Sequence, residues 1–178
     1  MFDYKKFEND VVQQMGGIFS QWTTEHDDMY AFSLDCSMGM ESIGINANTV
    51  HFLAEQADSD STDYWYYKYC EEEWELSHWF KDISAEMNQY LLDNEAIFSD
   101  PDTYEYTEAF EEHSEKIVDC CVNALTRFRN SLGQNHSDII LTFYIRDYFD
   151  GDGRIEIFQE LNSKSAAEEY AEHIEEFT

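Results

Sequence analysis

A chain of 178 residues fits one domain with a sizeable core, and its 43% hydrophobic and 16% aromatic shares exclude a disordered acidic segment. Lys plus Arg number 10 against 39 Asp plus Glu, a formal charge of −29 that repels phosphate backbones and anionic leaflets. Neither nucleic acid nor membrane is therefore an expected partner, whereas a basic protein would be steered toward this surface.

Met1-Phe2-Asp3-Tyr4-Lys5-Lys6 carries no apolar h-region, and no apolar run approaches the roughly 18 residues of a membrane span, so a cytoplasmic protein is expected. From Asp3 to about Thr24, Phe7, Val11, Met15, Ile18 and Trp22 recur three or four apart, which predicts a helix interrupted at Gly16-Gly17. Tyr30 to Cys36 alternates with period two and reads as a strand. Ser42 to Asn46 is its antiparallel neighbour across the Ser37–Met40 turn. Asn48-Thr49 offers capping side chains for a short helix carrying Val50, Phe52 and Leu53, and Asp58 to Asp63 reads as an exposed loop.

The next stretch, Tyr64 to Cys70, is compatible with a strand. Glu71-Glu72-Glu73-Trp74-Glu75 is too acidic for deep burial, because unpaired carboxylates resist leaving water. Phe80, Ile83, Met87, Tyr90 and Leu91 mark one helix; Tyr106, Phe110, His113, Ile117, Leu125 and Phe128 mark a second. Ser99-Asp100-Pro101-Asp102 between them reads as a helix start. Asp138 to Ile145 has a buried-strand pattern, and Arg154 to Phe158 alternates as its antiparallel return. A last helix runs from about Ser165 to Phe177 with Ala167, Tyr170, Ala171 and Ile174 on one face. The sum is a single α+β domain, a small and mainly antiparallel sheet packed against several helices.

Few motifs point to chemistry. Asp150-Gly151-Asp152-Gly153 has the letters of an EF-hand loop, but registering Gly153 at its sixth position puts Tyr148 and Gln159 where the anchoring acids belong. A turn using Asp and Gly accounts for the same letters. Glu75-x-x-His78 lacks the second such pair a carboxylate-bridged metal site needs. No nucleophile elbow, Walker loop or dinucleotide fingerprint occurs, so neither a catalytic residue nor a cofactor or metal is assigned. Cys36, Cys70, Cys120 and Cys121 show no Cys-x-x-Cys spacing and read as free thiols. The richest surface chemistry lies in Asp58 to Glu75. There Asp58, Asp60, Asp63, Glu71, Glu72, Glu73 and Glu75 accompany Trp65 and Trp74, the mixture of charge and aromatic anchors found at protein-binding sites. The competing reading turns the aromatics into core and leaves the acids merely solvated.

Several short stretches together resemble a bacterial family known as domain of unknown function 4303. They are Tyr30 to Leu34, Asn46-Ala47-Asn48-Thr49, Tyr67 to Trp74, Ile139 to Ile145 and Glu160-Leu161-Asn162-Ser163. Tyr69-Cys70 stands where the family tends to have Trp-Ser, and Ser163 where a proline often follows Leu-Asn. The resemblance implies a compact α+β domain. By association it implies an immunity partner of a secreted polymorphic toxin. The resulting expectation is a non-enzymatic module that neutralises a cognate basic toxin, for instance a nuclease. The alternatives are a DNA mimic that blocks a DNA-binding protein, or an enzyme of unrecognised type.

Overall fold

The computed structural model describes residues 1–176. Asp3 caps α1 (Tyr4–Glu25) by accepting from the Lys6 amide, and the helix runs unbroken through Gly16-Gly17. Neither glycine has a neighbour within 4 Å of where a Cβ would sit, so nothing there forces a kink. Phe7, Val11, Met15, Phe19 and Trp22 are buried, with Phe19 taking the place predicted for Ile18.

Strand β1 (Met29–Cys36) pairs antiparallel with β2 (Ile43–Thr49), which pairs antiparallel with β3 (Leu76–Trp79); β1 also pairs parallel with β4 (Ile140–Tyr144). The spatial order is β3-β2-β1-β4, a mixed sheet in which antiparallel pairs predominate. At Gly44 a Cβ would stand 2.8 Å from the His78 carbonyl oxygen, so the β2–β3 contact requires glycine. Thr49 ends β2 and caps α2 (Val50–Gln56) through its hydroxyl, as predicted.

One face of the sheet is apolar. Phe32, Leu34 and Cys36, then Ile45 and Ala47, then Leu141 and Phe143 pack on α1, α4 (Lys81–Asp93) and α6 (Glu108–Ser131). α3 (Tyr64–Tyr69), a 3₁₀ turn at Glu71–Glu73, α7 (Gly151–Leu161) and α8 (Lys164–His173) are grouped around the other face, with a small core of Tyr69, Phe158, Ala167 and Tyr170. α5 (Glu95–Phe98) is a single turn between α4 and α6. Asn162 ties α7 to the outer edge of β4, accepting from the Leu141 amide at 2.8 Å and donating to its carbonyl at 2.7 Å. Ser163 then caps α8. All four cysteines are free thiols.

Four local expectations are corrected. Tyr64–Tyr69 is helical rather than extended, which brings Trp65 and Tyr69, four apart, into a stack at 6.3 Å. Arg154–Phe158 lies in α7, where Phe158 and Leu161 share the buried side of a helix. Asp150 is its N-cap, accepting from Gly153 N–H at 2.8 Å, so the Asp-Gly letters serve a helix start rather than a hairpin. Ser99–Asp102 starts no helix: Asp100 accepts from the amides of Asp102 and Thr103 in a side-chain-capped turn, and α6 begins at Glu108. The predicted end of the last helix at Phe177 lies outside the described residues.

Candidate functional site

The second face of the sheet carries side chains expected in water. Ser33, Asn46, Asn48 and Thr142 are buried there, and Asp35 is largely so. Alternation puts these residues opposite the apolar set, and α3, the 3₁₀ turn and α7 close over them. Apart from the Thr142 hydroxyl, their polar groups are matched internally. The Asn46 amide donates to Asp35 at 3.1 Å, and the Asn48 amide to the Tyr30 hydroxyl at 3.1 Å, which itself donates to the Lys68 carbonyl.

The 3₁₀ turn delivers Glu71 into this layer, 2% exposed, against the expectation that the acidic run stays in water. A buried carboxylate needs a partner, and Arg154 from the first turns of α7 donates to it at 3.0 Å. Burial pushes the Glu71 carboxyl above its ordinary value, opposed by the guanidinium. One residue on, Glu72 accepts from Arg146 and, at 3.0 Å, from the Tyr144 hydroxyl. Together these groups line a cleft of about 490 Å³ at the carboxyl ends of the parallel strands β1 and β4, with Cys70, Asp147, Phe149 and Asp150. Asp35 beside it has its carboxyl raised to about 6, first by burial and then by Glu71 and Glu72, with Asn46 and Arg146 opposing. The Cys70 thiol is pushed up by burial and then by Glu71, which keeps it protonated at neutral pH.

The predicted binding stretch is thus divided. Asp58, Asp60 and Asp63 are exposed in a loop, as are Glu72, Glu73 and Glu75 further on. Glu73 accepts from the Tyr66 hydroxyl at 3.0 Å and Glu75 from Thr49 at 2.9 Å. Trp74 is buried, 7% exposed, and Trp65 stacks on His173 at 3.8 Å. Neither Glu71 nor Trp74 is available at the surface, so that part of the expectation is corrected: the tryptophan and the first glutamate of the run are core. Sequence reasoning missed Asp35, Asn46, Arg146 and Arg154 as members of one network. The available signal was polar side chains at every second position of strands flanked by covering helices.

The outward side of α6 is the second polar feature. From Glu108 to Asp119 its exposed residues are Glu108, Glu111, Glu112, Glu115, Lys116 and Asp119. Acids in the first turn favour the helix dipole, but Glu115 and Asp119 lie beyond its reach. Among the described residues no group of three His, Cys, Asp or Glu side chains is arranged to hold a metal ion, and no helix is long and apolar enough to cross a membrane.

The mixed sheet with helices on both faces defines an α+β domain, with its polar network at the carboxyl ends of the parallel strands. The chain belongs to the family described as Domain of unknown function (DUF4303), whose model matches residues 17–163. No curated protein and no solved structure matches the chain.

Proposed function

We propose that this protein binds a basic protein partner, and specifically that it is an immunity protein that neutralises a cognate toxin domain by direct contact. The observation that carries the reading is the unbalanced carboxylate display. Of the cations, Arg146 and Arg154 are engaged with Glu72 and Glu71, and Arg129 with the carbonyls of Leu161 and Ile139, while α6 turns five acids and one lysine outward. The family's association with polymorphic toxins, drawn from the resemblance above, supports the same reading. The arginine-matched carboxylates and protonated Cys70 of the β1–β4 cleft favour a structural network over catalysis.

The test uses the intact protein and any basic toxin domain that a neighbouring gene encodes. A one-to-one complex is expected whose association slows as salt rises, because rim charges act mainly on the on-rate. Co-expression should protect cells from that toxin domain. Absence of binding together with absence of protection would overturn the reading.

A further inference from the structure

Four large apolar side chains stand out of the surface in one neighbourhood: Met38 (52% exposed), Leu92 (60%), Tyr104 (83%) and Tyr106 (53%). Met38 and Tyr106 line one groove of about 360 Å³; Leu92, Tyr104 and Tyr106 line another of about 320 Å³. The two grooves share Tyr106 and Phe110, whose rings stack at 3.8 Å, so they form one continuous surface between the β1–β2 turn, the end of α4 and the start of α6. Apolar residues exposed singly are ordinary, whereas a contiguous group is the mark of an interaction site.

The segment that presents the most exposed ring is held in place. Tyr104 has φ 60, a left-handed conformation that side-chain-bearing residues seldom adopt. The Asp100 carbonyl accepts from its amide at 2.8 Å, the Asp100 carboxylate caps the turn before it, and a bridge between Ser99 and Tyr106 closes the loop. A ring displayed on a pre-ordered turn loses less freedom on binding than one on a loose loop.

The rim states what covers it. Glu111 and Glu115 border the first groove, Glu41 and Glu95 the second, and among the described residues no Lys, Arg or His lines either. A second copy of this chain would bring the same acids and another −29 of charge against them. Phosphate backbones and anionic lipid are repelled for the same reason. The geometry points to this acid-rimmed aromatic surface as the docking site for a basic protein segment that carries an apolar anchor flanked by Lys or Arg. The inference rests on the reading of a basic partner given above and assigns that partner's place and chemistry.

Two probes are titrated into the intact protein at physiological ionic strength and followed by fluorescence anisotropy: a labelled oligolysine, offering charge alone, and a peptide of equal charge with leucines interspersed among its lysines. The leucine-bearing peptide is expected to bind about tenfold more tightly, the order of effect of one buried anchor. Tyr104→Ala, which removes a ring packed on little, and the double variant Tyr104→Ala/Tyr106→Ala should erase that preference while circular dichroism remains native. Glu111→Lys/Glu115→Lys should weaken both probes, and Glu156→Lys/Glu160→Lys, outside both grooves, should leave the preference intact. A preference that survives the tyrosine variants overturns this surface and leaves the basic-partner reading standing. Equal binding of the two probes by the unaltered protein overturns the anchor. Failure of both probes to bind removes the charge reading and the docking site with it. Self-association in sedimentation that Tyr104→Ala disperses would replace the basic segment by a second copy.

Discussion

Phe32, Leu34 and Cys36 leave β1 on one side and Ser33 and Asp35 on the other, and both sets are withdrawn from water. The first side is stabilised by packing: the Phe32 ring meets Phe19 edge-on at 5.5 Å and Phe128 at 5.3 Å. The second is stabilised by pairing, with Glu71 against Arg154 and Asp35 against Asn46. Burial on the apolar side is therefore insensitive to protonation, while burial on the polar side is conditional on it.

That contrast is open to attack by mutation. Phe32→Ala, on the apolar side, should destabilise by about 3–5 kcal/mol through lost transfer energy and the cavity left behind, with little change in that loss between pH 4 and pH 8. Arg154→Met keeps the aliphatic stem and strands Glu71 in the interior. It should destabilise by a comparable ~3–5 kcal/mol at neutral pH, and by clearly less in acid, where Glu71 is neutral. The double variant Glu71→Met/Arg154→Met should regain most of that loss. Urea unfolding across pH checks all three variants. A pH-independent loss for Arg154→Met would remove the distinction between the faces.

Asp35 sharpens it. Its folded carboxyl titrates near 6 against an ordinary 3.8, so the folded state holds the proton more tightly than the unfolded chain. Stability therefore falls as pH rises between those values; the penalty is fully present above about 6 and absent below about 4. Asp35→Asn should raise stability at pH 7 by up to about 3 kcal/mol and leave it unchanged below pH 4, measured as the difference in urea midpoint from the unaltered protein. The smallest effect is expected from Arg146→Ala. Its partner Glu72 lies at the surface, and exposed ion pairs add little, so the unfolding midpoint should not move.

What could be read along the chain follows from local physics. The α1 face, the β1–β2 pair, the Thr49 cap and the exposed Asp58–Asp63 loop were legible because capping groups and apolar spacing act within a few residues. Tyr64–Tyr69 and Arg154–Phe158 were misread as strands because a short aromatic or alternating run satisfies two periods, and only the partners across space choose between them. β3 went unpredicted, since Leu76–Trp79 is an edge strand with mostly exposed side chains and no alternation to betray it.

Aromatic content, a formal charge of −29 and membership of the family are legible along the chain without coordinates, and the order of helix and strand patterns adds the α+β class. Formal charge and residue type are properties of single positions, and no fold alters their sum. Which acids face water was decided only by tertiary structure. Glu71, Glu72 and Glu73 are chemically identical and adjacent, yet the 3₁₀ turn directs one to buried Arg154, one to surface Arg146 and one to Tyr66. The gathering of Met38, Leu92, Tyr104 and Tyr106 was decided the same way, because these residues come from three separate segments. Their meeting depends on long-range packing of α4 and α6 beneath the sheet, which no local pattern encodes.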